Sequence, residues 1–168
     1  MYSREASMIT KRIPHGLMYE DFEPGRQFRH HWARTFNDAD ATAYSAMTLQ
    51  YNPIYFSAPH AAAAGYDGIP VHPMFVFATT VGLSVEDLSE AGGPFLGVED
   101  VIFQQAVFPG DTISAHSVVT SRRATESRPG WGVVEWHTRA LNQRGEPVIE
   151  FRRRNLSRMR SIPQQVAS

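Results

Sequence analysis

At 168 residues, with 42% hydrophobic and 20% charged side chains, the chain has the size and composition of one globular domain with a core of its own. A formal net charge of −1 argues against the concentrated basic surface on which general nucleic-acid binding rests, and no apolar run approaches the roughly 20 residues of a membrane span. The lack of cysteine excludes disulfides and thiolate nucleophiles and is compatible with a reducing cytoplasm, the location expected here.

Residues 1–17 and 160–168 carry no periodicity and are expected to be loosely ordered tails around a domain over 18–159. Arg4, Lys11 and Arg12 are followed by no apolar stretch, so a secretory signal is not expected. After a turn at Pro24-Gly25, residues 27–36 read as a strand with His30 and His31 on opposite faces. Asn37-Asp38 offers an N-cap for a helix running to about residue 49. Ser57 can cap a short helix over Pro59–Ala64 that ends at Gly65. Pro73, at a first helical position, begins a helix over Met74–Leu88 in which Met74, Phe77, Val81 and Val85 recur at helical spacing. From residue 94 the pattern turns to strands at 95–107, 112–124, 131–142 and 147–157, with turns at Pro109-Gly110-Asp111 and near Asn142–Gly145. In the third of these, Val134, Trp136, Thr138 and Ala140 form one face and Val133, Glu135, His137 and Arg139 the other. A strand, helices and then a long antiparallel meander make a single α+β domain.

Residues 44–61 read Tyr-Ser-Ala-Met-Thr-Leu-Gln-Tyr-Asn-Pro-Ile-Tyr-Phe-Ser-Ala-Pro-His-Ala, and Ile69-Pro-Val-His72-Pro-Met74, Phe95-Leu-Gly97 and Phe108-Pro-Gly-Asp111-Thr follow in that order. Taken together these segments resemble the MaoC-like, (R)-specific enoyl-CoA hydratase family over most of residues 20–158. The family's loop reads roughly small-Gly-Asp-x-Asn-Pro-aliphatic-His. Tyr44, Thr48, Asn52, Pro53, Ile54 and Ala61 fall on that pattern, while Leu49 stands at the Gly position, Gln50 at the catalytic Asp and Tyr55 at the catalytic His. Tyr-Asn-Pro and His-Pro-Met are similar to a branch related to mesaconyl-CoA hydratases and β-methylmalyl-CoA dehydratases.

The resemblance implies a hot-dog fold, an antiparallel sheet wrapped around a central helix. It also implies hydration or dehydration of a short, branched or dicarboxylic acyl-CoA thioester, with coenzyme A present only as part of the substrate and no metal or other cofactor. A single hot-dog layer leaves one sheet edge open, so a homodimer or an assembly of dimers sharing a ligand tunnel is expected, with no nucleic-acid or membrane partner.

Hydration needs one group to deprotonate water, one to protonate the α-carbon and donors for the enolate oxygen. Gln50 can hold a water but cannot accept a proton at neutral pH. Tyr55, with an ordinary pKa of about 10, is a poor base whose hydroxyl can still donate to a thioester; its plain reading is an aromatic packed beside Phe56. Asn52 and Pro53 shape the loop and, with Met74, are candidates for substrate contact. His72 precedes the central helix, where free backbone N–H groups collect and a thioester oxygen can be polarised, although Pro73 removes one donor. It is the first candidate for a titratable group, and Gln50, Tyr55 and His72 form the candidate catalytic set.

Asp38 and Asp40 are the nearest carboxylates for a replacement base. The clusters Arg122-Arg123 and Arg152-Arg153-Arg154 are candidates for the phosphates of coenzyme A; in the second, Arg152 and Arg154 point one way and Arg153 the other. His30, His31, His60, His116 and His137 show no metal-ligand spacing, and neither a phosphate-binding Gly loop nor a Gly-x-Ser-x-Gly elbow occurs. Two other readings stand beside the hydratase: a hot-dog thioesterase using Gln50 and Asp38, and a non-catalytic acyl-CoA-binding homologue.

Overall fold

The structure is a computed structural model, and residues 15–160 are described. The chain forms five strands, β1 (Gln27–Thr35), β2 (Phe95–Phe103), β3 (Thr112–Ala124), β4 (Trp131–Leu141) and β5 (Pro147–Arg158), of which β3 and β4 alternate most clearly between buried and more exposed residues. They form one antiparallel sheet in the order β1-β3-β4-β5-β2. Four helices lie between β1 and β2 in the chain: α1 (Asp38–Met47), α2 (Ala58–Ala63), α3 (Pro73–Leu83) and α4 (Val85–Leu88).

The sheet buries one face under α3. On β4 this is the expected Val134, Trp136, Thr138 and Ala140 face. One buried cluster joins Val76 of α3 to Ile113, Ala140, Ile149 and Phe151, and a second joins Leu88 of α4 to Phe28, Val119, Val134 and Trp136. Phe77 meets Phe151 edge-on at 5.0 Å, and Phe22 meets Trp136 at 5.1 Å, geometries that add to the burial of these large rings. His30 is buried and His31 exposed, as the strand alternation requires.

Four expectations are corrected. The long helix over Met74–Leu88 is two helices, broken at Ser84, whose hydroxyl donates to the Val81 carbonyl at 2.7 Å. Its buried stripe is Val76 and Thr80, flanked by Phe77 and Val81, whereas Met74 and Val85 are exposed; a segment apolar nearly all round does not single out a face by spacing alone. Helix α1 ends at Met47 because Leu49 adopts a left-handed conformation (φ 56°), and the Gln50 N–H turns back to the Ser45 carbonyl at 2.9 Å. Strand β2 ends at Phe103; Gln104 still donates its N–H to the Val148 carbonyl at 2.9 Å, and beyond it the chain leaves the sheet so that the Val107 carbonyl accepts the Val71 N–H at 2.8 Å ahead of α3.

Smaller features follow the same physics. Asn37 caps α1 by accepting the Asp40 N–H, but the Ser57 hydroxyl pairs with His60 Nδ1 at 2.8 Å instead of capping α2. Most of the two expected tails lies outside the described residues; within them Leu17 packs on the second cluster and Arg160 bonds Glu20 and Asp21.

Candidate functional site

The loop after α1 divides its side chains between two hollows. The left-handed turn at Leu49 sends Gln50 into a hollow of ≈ 240 Å³ shared with Thr42, Ser45, Ala46, Tyr51 and Phe56. Asn52 then accepts the Ile54 N–H at 3.3 Å, and Pro53 opens a single 3-10 turn, Pro53–Tyr55. Both residues therefore shape the loop. That turn delivers Tyr55 to a separate cleft of ≈ 260 Å³, which it lines with Tyr66, Pro73, Phe103 and Val107.

Behind the cleft wall Tyr55 packs on His72, with ring centroids 4.5 Å apart; His72 itself is buried and is not among the residues that line the cleft. Tyr44 backs the pair, 5.7 Å from His72 and stacked on Phe75 at 4.9 Å. Burial first, and then the neighbouring Tyr66, push the Tyr55 hydroxyl above the ordinary phenol range, so it stays an O–H group. Burial lowers the pKa of His72, which favours a neutral ring at neutral pH.

The start of α3 fixes which nitrogen of that ring carries the proton. His72 is the N-cap, and its Nδ1 lies 3.1 Å from the backbone N–H of Met74. A backbone N–H can only donate, so Nδ1 accepts and Nε2 holds the hydrogen. The remaining N–H groups of the first turn are also engaged, since Phe75 and Val76 both donate to the His72 carbonyl at 2.9 and 3.3 Å, and Pro73 has none. The expectation of free backbone donors at this helix start is thus corrected. The corner offers two side-chain donors, Tyr55 O–H and His72 Nε2–H, while the N–H groups of Met74, Phe75 and Val76 are already engaged.

The other candidates lie elsewhere. Met74 projects from the first turn of α3 and is exposed. Asp38 begins α1, and Asp40 is held by Arg34 at 2.5 Å and by Asn37 at 2.8 Å; neither lines the Tyr55 cleft. Arg152 and Arg154 sit on the sheet face turned away from α3, paired with Asp100 and Glu99 of β2. Arg153, between them, is buried over the Trp136 ring at 5.4 Å, with Nε and Nη2 unpartnered and its pKa brought down to about 10 by burial. Arg122 is tied to the Tyr19 and Glu20 carbonyls and to Glu23, a structural role.

Reading the sequence missed Tyr66 and Phe103, because an aromatic after a helix or at a strand end carries no chemical signature. It also missed a buried chain from Asp87 to His30 Nδ1 (2.6 Å), from His30 Nε2 to Ser117 (2.9 Å) and on to Thr138 (2.8 Å), which ties α4 to the sheet. The alternation placed His30 inside, but nothing local pointed to a partner so distant in sequence. A further groove of ≈ 490 Å³ is lined by Arg29, His116, His137 and Arg139 and is separate from the Tyr55 cleft. Among the described residues no group of three or more His, Asp or Glu side chains is placed to hold a metal ion.

The sequence profile of the family described as Mesaconyl-CoA hydratase matches residues 7–166. The Mesaconyl-CoA hydratase of Haloarcula hispanica is 35% identical over 142 residues, 84% of this chain and 40% of that protein. A solved structure of a MaoC domain protein dehydratase from Chloroflexus aurantiacus is similar with a TM-score of 0.83 at 28% identity, covering 95% of this chain and 46% of the other. A Mycobacterium tuberculosis protein described as having a double hotdog fold is similar with a TM-score of 0.75 at 18% identity, covering 91% of this chain and 47% of that one, a likeness of fold alone. This chain therefore spans less than half the length of each of these three proteins. A five-stranded sheet folded over one helix is the hot-dog arrangement, and with a profile match along nearly its whole length the chain belongs to the mesaconyl-CoA hydratase family.

Proposed function

We propose that this chain is a hot-dog unit of an acyl-CoA hydro-lyase, with Gln50 and Tyr55 in the places of the usual Asp and His. Its substrate is a short, branched or dicarboxylic enoyl-CoA or the corresponding 3-hydroxyacyl-CoA, the class for which its relatives are named. The observation that carries the reading is the Tyr55–His72 corner, where the Tyr55 hydroxyl, a neutral donor, lines a cleft and a neutral His72 packs on its ring. When water adds to an enoyl thioester, negative charge collects on the thioester oxygen, and fixed donors in a partly dry cleft stabilise it.

The same geometry limits what these residues do. Gln50 has no basic atom, Tyr55 is pushed away from ionisation, and the one unprotonated nitrogen of His72 is occupied by the Met74 N–H. Tyr55, with His72 beside it, holds and polarises a thioester, and none of the three takes the proton from water. No observation favours the thioesterase reading, since Gln50 and Asp38 are not brought into one hollow. Pairing through the free edge of β2 and a cytoplasmic location belong to the same proposal.

Calorimetric titration with crotonyl-CoA, butyryl-CoA and free coenzyme A, followed by mass analysis of the mixtures, tests the reading. Both thioesters are expected to bind more tightly than free coenzyme A. Equal affinity for all three, or release of a free acid, contradicts it.

A further inference from the structure

The outer face of the sheet carries a row of basic side chains that the acyl-CoA reading leaves unused. Residues paired directly across neighbouring strands stand on one face, and Arg29 of β1 pairs with His116 of β3, which pairs in turn with Arg139 of β4. His137, two residues before Arg139, faces the same way and joins them in lining the groove of ≈ 490 Å³. His137 pairs with Arg152, so the groove lies on the side of the sheet turned away from α3, and it shares no lining residue with the Tyr55 cleft.

Like charges set opposite one another across strands destabilise a sheet unless something answers them. Elsewhere on this face something does: Arg152 is paired with Asp100, and Arg154 with Glu99. Arg29 and Arg139 have no carboxylate oxygen within 4.0 Å among the described residues. Glu150 is the register partner of Arg139 on β5, yet it sits 3.4 Å from His137 Nε2 instead. Between the two arginines His116 is half-buried; burial first, and then Arg29, Arg139 and His30, hold its pKa below the ordinary histidine range. The row is thus two unanswered guanidinium groups on either side of an imidazole kept neutral.

We propose that this groove is a second ligand site, separate from the Tyr55 cleft, which binds the diphosphate group of a small free anion between Arg29 and Arg139 with His116 at the centre. Neighbouring strands are about 4.8 Å apart, so the two arginines leave the sheet about 10 Å from one another. Each guanidinium offers a fork that takes one phosphoryl group through two hydrogen bonds, and two forks match two linked phosphoryl groups better than one. The positive row meets Glu150 on the next strand and the chain's net charge is −1, which suits a compact anion and not a long polyanion such as nucleic acid. An anion bound beside His116 favours its charged form, so the ring gains a proton and a further donor as the ligand arrives. The groups facing that ring are Arg29 on β1, Arg139 and His137 on β4 and the buried His30, with Glu150 held by His137. None of this depends on the hydro-lyase reading.

Inorganic diphosphate is the probe, with inorganic phosphate and sulfate beside it, in isothermal titration at low ionic strength and about pH 6.5. Wild type is expected to bind one diphosphate per chain, about tenfold or more tighter than phosphate or sulfate. Arg29→Gln and Arg139→Gln should each weaken that binding about tenfold or more, whereas Arg144→Gln, an equal loss of charge in the turn between β4 and β5, leaves it unchanged. The histidine ring signal that vanishes from the proton spectrum in His116→Gln should titrate at higher pH when diphosphate is present. Coenzyme A also contains a diphosphate, so the titration is repeated in the presence of crotonyl-CoA, and the same diphosphate isotherm is expected. Its loss there gives the groove to the acyl-CoA and overturns the proposal. No binding by wild type, or equal weakening by Arg144→Gln and the two groove variants, overturns it as well. Should the variants fail to fold by circular dichroism, wild type alone decides, because diphosphate that shifts no histidine ring signal also overturns the proposal. Diphosphate bound in the groove of a chain that takes no crotonyl-CoA removes the hydro-lyase reading and leaves this one standing.

Discussion

His72→Asn separates the two jobs of one ring. In the structure His72 Nδ1 caps α3 by accepting the Met74 N–H at 3.1 Å, which leaves Nε2–H uninvolved in the cap, on a ring packed against Tyr55. Asparagine is among the best N-caps, so its side-chain oxygen can take the same N–H, but its shorter side chain places no donor where Nε2 stands. The cap should therefore survive, with stability within about 1 kcal/mol of wild type, or about 2–4 °C in Tm for a chain of this size. Losing one hydrogen bond to the thioester oxygen is worth about 0.5–1.5 kcal/mol, so crotonyl-CoA should bind about 3–10-fold more weakly. His72→Ala removes the cap as well and should lower stability by a further ~0.5–2 kcal/mol. Scanning calorimetry and isothermal titration read the two effects separately. If His72→Asn binds crotonyl-CoA like wild type and melts as low as His72→Ala, His72 is a structural cap only and the donor argument fails.

Tyr55→Phe keeps the ring against His72 and removes only the hydroxyl, so the fold should hold while crotonyl-CoA affinity drops by about 3–10-fold; unchanged titration isotherms would exclude the hydroxyl from the site. Arg153→Met should raise stability by about 1–3 kcal/mol in urea unfolding, because burial alone lowers the pKa of a guanidinium with two unpartnered nitrogens to about 10; a loss of stability would mean that the charge is engaged. His30 and His72 both have pKa values lowered by burial, so they charge more readily in the unfolded chain. Their contribution is present above the ordinary histidine value of about 6.5 and is lost as pH falls through the lower folded values. Tm should accordingly drop between about pH 7 and about pH 5, and less steeply in His72→Asn; a Tm flat across that window contradicts the burial argument.

Strand β3 over 112–124 and the inward face of β4 were legible because a half-buried strand writes its two faces in alternation, and Asn37 was legible because a helix start selects a side-chain acceptor. The central helix was harder. From Met74 to Leu83 almost every side chain is apolar, so neither its buried face nor the break at Ser84 has a periodic signal. At the site, the order of loop residues identified Tyr55 and His72 but not their separation from Gln50, which depends on the left-handed turn at Leu49, a conformation uncommon for leucine. Pro73 announced the loss of one backbone donor. That the His72 ring takes the next one depends on a rotamer, and no residue letter encodes it.

The central claim is that this chain polarises an acyl thioester without supplying a base. Crotonyl-CoA labelled with carbon-13 at the thioester carbonyl reads both halves in one spectrum of the wild-type chain alone. A downfield shift of the bound carbonyl, with the crotonyl group intact after prolonged incubation, is the predicted result. A carbonyl resonance that does not move on saturation, or the growth of a 3-hydroxybutyryl signal, would contradict the account.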